Sequence, residues 1–303
     1  MIDINRILCP IDFSGFSDRA LAYAMRIAVW ADAKLHVLHV VPPLATGTLA
    51  AASRELAGRH LQSAVERCRL PGVTVDTELV ESTETAARIL DAAEACDADL
   101  IVTGSHGRRG AERVFLGSVV EALLHKCTRP MLVIPSHLDP AQAEPRAAFS
   151  RIVCAVDFSL TSLNALAHAL AIAAESQAKL TLLHVIEMPP ELEQPPPPPY
   201  FDVEPIRAEA EAAGLTKLRA LVPEHARDYC TVETAVLEGG VSRQLLRMAA
   251  SRNADLIVLG VHGRSAFDLA FFGSNSKDVI RQAHCPVLIV PAARRGASMK
   301  GAS

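Results

Sequence analysis

Aromatic residues are scarce in this sequence, and their scarcity argues against one large class of function. Phenylalanine, tryptophan and tyrosine make up 4% of the 303 residues, with a single tryptophan. Proteins that hold single-stranded nucleic acid use aromatic side chains on which the bases stack. The formal net charge of −4 at pH 7 also argues against a broad attraction for DNA, RNA or an acidic membrane surface.

The chain also lacks long apolar runs and paired cysteines. No uninterrupted apolar run reaches the roughly 20 residues that a membrane span needs, and no signal-peptide pattern precedes the first apolar run at residues 7–9. There are seven cysteines, an odd number, without a Cys-x-x-Cys pair. A disulfide framework is not expected in such a chain, so we expect free thiols and a cytoplasmic location.

Several catalytic motifs are missing as well. The sequence has no Gly-x-x-x-x-Gly-Lys-Ser/Thr loop, no Gly-x-Gly-x-x-Gly fingerprint and no Gly-x-Ser-x-Gly elbow. It shows no pair of carboxylates spaced for two-metal chemistry. We therefore expect no catalytic residue, no metal held by protein ligands and, at most, slow hydrolysis of a bound nucleotide.

What the chain has in abundance is aliphatic side chains arranged in short strands and amphipathic helices. Hydrophobic residues make up 50% of the sequence. The apolar pattern of the first half predicts strands at residues 6–11, 34–40, 73–80, 100–103 and 131–134, and helices at 17–31, 48–68, 83–96 and 118–126. Strands that are joined through helices form a parallel sheet with helices on both faces.

The second half repeats the first. A shift of 145 residues places Arg6 on Arg151, and roughly 19 of the 35 positions from 6 to 40 are then identical. Further along, the shift becomes 156 and places Gly104 on Gly260, so the second unit carries about eleven extra residues (156 − 145). Their source is the proline-rich segment 189–205, which we expect to be an exposed loop and a possible binding site for a protein partner.

This pattern predicts an α/β fold with two tandem doubly wound domains. We expect the first domain at residues 1–137, a polar linker at 138–150, the second domain at 151–292 and a flexible tail at 293–303.

A glycine motif occurs once in each unit, directly after the fourth predicted strand. Gly104 and Gly107 are followed, after nine further residues, by Gly117 and Ser118; Gly260, Gly263, Gly273 and Ser274 repeat this spacing. Glycines at a strand end let the backbone approach a ligand, and a helix that starts there directs free N–H groups at the same point. The motif therefore predicts a phosphate site. The alternative is that these glycines only form turns and helix caps.

The Gly-x-x-Gly, nine residues, Gly-Ser pattern resembles the ATP-binding signature of the universal stress protein family. The resemblance covers nearly the whole chain. It implies a five-stranded parallel sheet of order 3-2-1-4-5 in each domain, ATP accompanied by Mg²⁺, and pairing through the fifth strands. That pairing would occur between the two domains of this chain, and a homodimer remains open.

We assign equivalent sets of residues to the two predicted nucleotide pockets. The first set is Pro10, Asp12, Val40, Gly104, His106, Gly107, Arg108, Gly117, Ser118 and Val119. The second set is Ala155, Asp157, Val185, Gly260, His262, Gly263, Arg264, Gly273, Ser274 and Asn275. By resemblance, the two aspartates match the acid that contacts the nucleotide, and Val40 and Val185 match the position whose backbone meets adenine.

Some of these residues also have local interpretations. Asp12 and Asp157 each precede Phe-Ser and could instead form a helix cap or an Asx turn. Ser118 and Glu121 have the spacing of a capping box, whereas Lys277 replaces the glutamate in the second unit and would make that helix start more positive. For His39 and His184, at the ends of the second strands, we favour a structural hydrogen bond.

The leading functional hypothesis is a universal stress protein that binds ATP in a regulatory, stress-response role. The alternative is an interaction module whose pockets are vestigial or hold another small molecule. A third hypothesis is a nucleotide hydrolase or transferase that uses His106 or His262 as a general acid.

Overall fold

In the computed structural model of the chain, the two halves fold as repeats of one α/β unit. The structure describes residues 4–43, 48–107, 116–136, 138, 149–187, 204–261 and 274–292. The strands of the first half are β1 (Arg6–Pro10), β2 (Lys34–Val41), β3 (Val75–Glu81), β4 (Leu100–Gly104) and β5 (Met131–Ile134). Its helices are α1 (Gly15–Ala31), α2 (Thr48–Cys68), α3 (Thr85–Ala95) and α4 (Ser118–Lys126).

The second half follows the same order of elements. Its strands are β6 (Arg151–Ala155), β7 (Lys179–Ile186), β8 (Thr231–Glu238), β9 (Leu256–Gly260) and β10 (Val287–Val290). Its helices are α5 (Leu160–Ser176), α6 (Glu204–Ala220), α7 (Val241–Ser251) and α8 (Ser274–Gln282), with a short 3₁₀ helix at Glu224–Asp228.

All ten strands form a single sheet in the order β3-β2-β1-β4-β5-β10-β9-β6-β7-β8. Within each half the strands are parallel, and their order is the 3-2-1-4-5 that the resemblance implied. The halves join where β5 pairs with β10 in antiparallel fashion. The expected pairing of the two domains through their fifth strands is therefore present within this chain.

Helices cover both faces of the sheet and enclose two apolar cores. Buried residues of α1, α2, α5 and α6 share one core with alternate strand residues, among them Leu132 and Leu288. Buried residues of α3, α4, α7 and α8 share the other core, which contains Val133 and Ile289. Each core includes residues of both halves, because the side chains of β5 and β10 alternate between the two faces.

The register of β5 and β10 relates the halves by an approximate two-fold axis. Leu132 pairs with Leu288, and these are equivalent residues under the 156-residue repeat shift. An antiparallel pair of equivalent residues places the axis between them and perpendicular to the sheet. Elements near this axis contact their own counterparts, as in an isologous dimer interface.

An ion pair crosses this axis between α4 and α8. Lys277 Nζ bonds to Glu121 Oε1, and these two residues are equivalent in the repeat. The predicted capping box is wrong, since Gly117 is the N-cap of α4 and makes no side-chain cap hydrogen bond. Lys277, which was expected to make the start of α8 more positive, has its ammonium group paired with the carboxylate of the other half.

Several predicted segments lie outside the described residues. These are most of the linker at 138–150, the tail at 293–303 and residues 189–203 of the proline-rich segment. The described end points of the linker are packed, with Leu138 buried and Phe149 against the core. All seven cysteines lie in the described part and are free thiols, as expected. None of the helices described is both long and apolar enough to cross a membrane.

We predict that reversing either charge of the Glu121–Lys277 pair destabilises the protein. Lys277→Glu brings two carboxylates together at the axis, and Glu121→Lys brings two ammonium groups together. Each reversal should lower the free energy of unfolding by about 0.5–1 kcal/mol, because the pair is partly exposed. The double swap should restore most of the loss, as measured by urea unfolding followed by circular dichroism.

The more exposed Arg59–Glu55 pair within α2 provides the control. The reversal Arg59→Glu should lower the free energy of unfolding by less than either reversal at the axis. If the single reversals at Glu121 and Lys277 leave the free energy of unfolding unchanged, the pair makes no contribution to joining the halves.

Candidate functional site

The candidate site lies where the strand order reverses in each half. β1 pairs with β2 on one side and with β4 on the other, so the connections after β1 and β4 leave in opposite directions. In a doubly wound sheet, ligands bind at this point, beyond the carboxyl ends of the strands. β6 and β9 form the equivalent edge in the second half.

Asp12 shapes the turn that follows β1. Its Oδ1 accepts hydrogen bonds from Ser14 N at 3.0 Å and Ser14 Oγ at 2.6 Å. Ser14 is the N-cap of α1, and its Oγ accepts from Ser17 N at 3.2 Å. The Asx-turn interpretation of Asp12 is therefore confirmed. A nucleotide contact through the same carboxylate is not tested by this geometry and stays a prediction.

The second half repeats this turn closely. Asp157 Oδ1 accepts from Ser159 N at 3.0 Å and Ser159 Oγ at 2.6 Å, and Ser159 caps α5. Between aspartate and serine, Phe13 and Phe158 have φ angles of 62° and 65°. A bulky residue rarely adopts this left-handed conformation, and such strain concentrates at functional sites. Sequence reasoning missed this feature, although the repeated Asp-Phe-Ser triplet was its signal.

Buried histidines hold the same turns against the second strands. His39 Nδ1 donates to Ile11 O at 2.7 Å, and His184 Nδ1 donates to Val156 O at 2.7 Å. The His39 ring also lies against Phe13, with ring centroids 4.1 Å apart. The predicted structural role of both histidines is confirmed, and it extends to positioning the residue next to each aspartate.

Gly107 lies against Asp12, so the glycine turn after β4 and the carboxylate after β1 meet. A Cβ atom at Gly107 would be 2.7 Å from Asp12 Oδ2. A Cβ at Gly117 would be 3.3 Å from Ser105 O and 3.7 Å from Gly107 N. The structure thus brings Asp12, Gly107 and Gly117 together on one surface, where a side chain at either glycine would crowd its neighbours.

Helix α4 begins at this surface. Gly117 N donates to Ser105 O at 3.0 Å, and Glu121 N donates to Gly117 O at 2.9 Å. The N–H groups of the first turn, at Ser118, Val119 and Val120, have no carbonyl partner within the helix. Together with the helix dipole, these amides favour an anion at the start of α4.

Gly104 and Gly260 have a packing role that sequence reasoning did not separate from ligand binding. A Cβ at Gly104 would be 2.9 Å from Phe16 O in the first turn of α1, and one at Gly260 would be 2.9 Å from Thr161 O in α5. The fourth strand of each half can therefore approach the helix backbone only with glycine at its end. A phosphate contact at these two glycines remains a prediction.

His106 is buried within the turn. Its exposed fraction is 6%, and its Nδ1 shares a 2.9 Å hydrogen bond with Ser105 Oγ. The ring also contacts Phe16, with centroids 5.9 Å apart. Burial of this kind favours the interpretation in which the histidine fills and stiffens the turn.

Of the other residues assigned to the pockets, those that the structure describes lie at the same edge of the sheet. Pro10 ends β1 and Ala155 ends β6, while Val40 and Val185 lie one residue before the ends of β2 and β7. Val119 is half-buried, whereas its counterpart Asn275 is exposed. Five assigned residues lie outside the described part, together with the side chain of Ser274: Arg108, His262, Gly263, Arg264 and Gly273.

Two cysteines lie close to the site but are not reactive. Cys9 in β1 and Cys154 in β6 are fully buried. Burial raises the pKa of the Cys9 thiol far above its usual range and that of Cys154 to about 12. Both remain thiols near neutral pH, so neither supplies a nucleophile at the strand ends.

We predict that Gly104→Ala destabilises the protein by about 1–3 kcal/mol, because the added methyl would force α1 away from β4. Gly58→Ala in α2 is the matched control: its Cβ meets nothing within 4 Å, so it should stabilise by about 0.5–1 kcal/mol. Urea unfolding measures both. A neutral Gly104→Ala would show that the close approach of α1 is not required.

Comparison with known proteins identifies relatives of the whole chain and of single halves. A universal stress protein of Mycolicibacterium smegmatis is 27% identical over 301 residues, covering 94% of this chain and 96% of that protein. Universal stress protein YxiE of Bacillus subtilis is 32% identical over 146 residues, covering 47% of this chain and 99% of that protein. The first relative matches both halves of this chain, and the second matches a single half.

Solved structures show the same fold at low sequence identity. The crystal structure of a universal stress protein from Archaeoglobus fulgidus covers 97% of this chain and 98% of its own, with a TM-score of 0.69 and 21% identity. Residues 3–135 and 148–291 each match the Universal stress protein family. The chain therefore belongs to the universal stress protein family, with one family domain in each half.

Proposed function

We propose that this protein binds an adenine nucleotide, ATP, at the carboxyl ends of β1, β2 and β4, and that binding serves a regulatory role in the stress response. One observation carries the proposal: the contact between Gly107 and Asp12 Oδ2, with Gly117 directly beside it. This arrangement joins a carboxylate, a backbone turn without side chains and a helix start at the strand-order reversal.

Each part of this surface matches one part of a nucleotide. The amides of the first turn of α4, which have no carbonyl partner within the helix, and the dipole of its nine residues favour phosphate. The Asx turn uses Oδ1 of Asp12, and a carboxylate can accept about four hydrogen bonds in all, so ribose hydroxyls can be accepted as well. Val40, half-buried one residue before the end of β2, would lie beside the base.

Mg²⁺ would accompany the triphosphate and be held mainly by phosphate oxygens and water. Within the described ranges, no three His, Cys, Asp or Glu side chains come together to hold a metal. We further propose that the protein binds ATP without turning it over efficiently. In support, His106 is enclosed in its turn and the neighbouring thiols stay protonated.

We predict that Asp12→Asn combined with Asp157→Asn weakens ATP binding by about tenfold. Asparagine keeps an oxygen for the local turn but replaces a charged acceptor with a donor at the other position. Isothermal titration calorimetry with Mg²⁺-ATP measures the affinity, and urea unfolding should be unchanged. Gly107→Ala, which places a methyl 2.7 Å from Asp12 Oδ2, should also weaken binding.

Gly58→Ala, remote from the surface, should bind ATP like the unaltered protein. If the unaltered protein retains no ATP, or if the paired asparagine variant binds it equally well, the proposed contact with the carboxylate is wrong. A different small molecule in the native mass spectrum of the purified protein would instead favour the alternative of an interaction module.

We also predict that His106→Ala, alone or with His262→Ala, does not reduce ATP turnover below the slow rate of the unaltered protein. Release of inorganic phosphate under saturating Mg²⁺-ATP is the measurement. A loss of turnover with unchanged ATP affinity would contradict a role limited to binding and support the hydrolase hypothesis.

The two expectations about protein partners stay predictions. One is a homodimer of this tandem chain, and the other is a partner that recognises the proline-rich segment 189–205. Analytical ultracentrifugation with and without ATP tests the first.

A further inference from the structure

Phe16, in the first turn of α1, belongs to neither apolar core of the described residues. Its ring lies instead against His106 of the glycine turn, with ring centroids 5.9 Å apart and planes tilted by 49°. Its carbonyl oxygen is the atom that a Cβ at Gly104 would meet at 2.9 Å. Phe16 therefore contacts the glycine turn, residues 104–107, with both its side chain and its backbone.

Arg19 lies one helical turn after Phe16 and covers its ring. The guanidinium carbon is 5.1 Å from the ring centroid, which is a cation–π distance. Its two terminal nitrogens donate to main-chain oxygens that follow β5, Nη2 to Ser136 O at 2.7 Å and Nη1 to Leu138 O at 3.2 Å. Because the guanidinium is planar and its donors have a fixed geometry, these contacts orient it over the phenyl ring.

The end of β5 holds the same turn through the backbone. Ser105 N donates to Ile134 O at 2.9 Å, and Ser105 O accepts from Gly117 N at 3.0 Å. The turn ends at Gly107, which meets Asp12. In the first half, α1, β5 and the start of α4 therefore all fix the glycine turn of the proposed pocket.

The second half repeats the backbone contacts of this arrangement. Val261 N donates to Val290 O at 3.1 Å, which is the counterpart of the bond between Ser105 and β5. A Cβ at Gly260 would be 2.9 Å from Thr161 O, as described above. The approach of the first helix to the fourth strand is therefore common to both halves.

The side chains at these positions differ between the halves. Under the 145-residue shift, Phe16 corresponds to Thr161 and Arg19 to Asn164. Asn164 still reaches the chain after its fifth strand, since its Nδ2 donates to Pro291 O at 2.8 Å. A threonine has no ring to pack on a histidine, however, and an uncharged amide makes no cation–π contact. The second pocket lacks both side-chain contacts that support the first.

We propose that Phe16 and Arg19 are positioning residues that make the first pocket the tighter of two ATP sites. This inference rests on the proposed ATP binding at the strand ends. A turn that is already held in its bound shape loses less conformational entropy when a phosphate binds to it. Phe16 acts through His106, and Arg19 acts through Phe16.

One difference between the halves acts in the opposite direction. Lys217 of α6 has its Nζ 5.8 Å from the Phe158 centroid, whereas His60 of α2 lies against Phe13. An ammonium group beside the aspartate turn of the second half attracts a polyphosphate at long range. Lys217 is exposed, so salt screens this attraction, and about 0.3 M NaCl limits its range to about 6 Å. The two pockets are best compared at that ionic strength.

The test is calorimetric titration of the full-length protein with Mg²⁺-ATP at this salt concentration. We expect two binding events of unequal affinity in the unaltered protein. Phe16→Thr, which installs the residue of the second half, should weaken the tighter event about fivefold and leave the other unchanged. Arg19→Asn should weaken the same event about two- to threefold. Phe16→Tyr keeps the ring and should bind ATP like the unaltered protein.

The second pocket is the internal control, because a general loss of stability would not single out one of two events. Asp12→Asn should weaken the tighter event, and Asp157→Asn the other. Equal affinities in the unaltered protein, a tighter event that responds to Asp157→Asn instead, or one that Phe16→Thr leaves unchanged would overturn this inference alone. Absence of any ATP binding would overturn the proposed function as well.

Discussion

The antiparallel pairing of β5 with β10 is the constraint on which the rest of this architecture depends. Each strand has four residues, all buried, so neither could remain at the edge of a sheet without exposing apolar side chains and unpaired backbone groups. Pairing removes both edges at once and makes one sheet of ten strands. The continuous cores on the two faces and the ion pair between equivalent helices are consequences of this one contact.

The candidate site depends on a different and more local constraint. An aspartate, a left-handed phenylalanine and a capping serine form a turn whose conformation costs free energy, and a buried histidine from the neighbouring strand holds it in place. The same turn in both halves argues that its geometry serves a purpose beyond connecting a strand to a helix. Because the carboxylate is already oriented by this turn, a ligand that uses it loses little conformational entropy on binding.

Much of the fold could be predicted because its signals are local or repeated. The helix at 118–126 has the predicted bounds, and the second strand, predicted at 34–40, ends one residue later. The contact between Gly107 and Asp12 followed from the position of each at a strand end, given the strand order that the resemblance supplied. The partner of Lys277 could not be predicted, since it lies 156 residues away and depends on the axis between the halves. The packing role of Gly104 was not predicted, because a glycine required by a neighbouring helix has the same sequence signature as one required by a phosphate.

The pattern of identity between the halves separates two kinds of position. The turn residues and the glycines at the strand ends are the same in both, because each half needs them on its own account. The charged residues that meet across the axis differ, since Glu121 faces Lys277 and identical charges there would repel each other, whereas the apolar Leu132 and Leu288 are the same. In a dimer of identical chains every such contact is made between two copies of one residue. Joining the halves in one chain removes that restriction, and it allows an acid to meet a base across the axis.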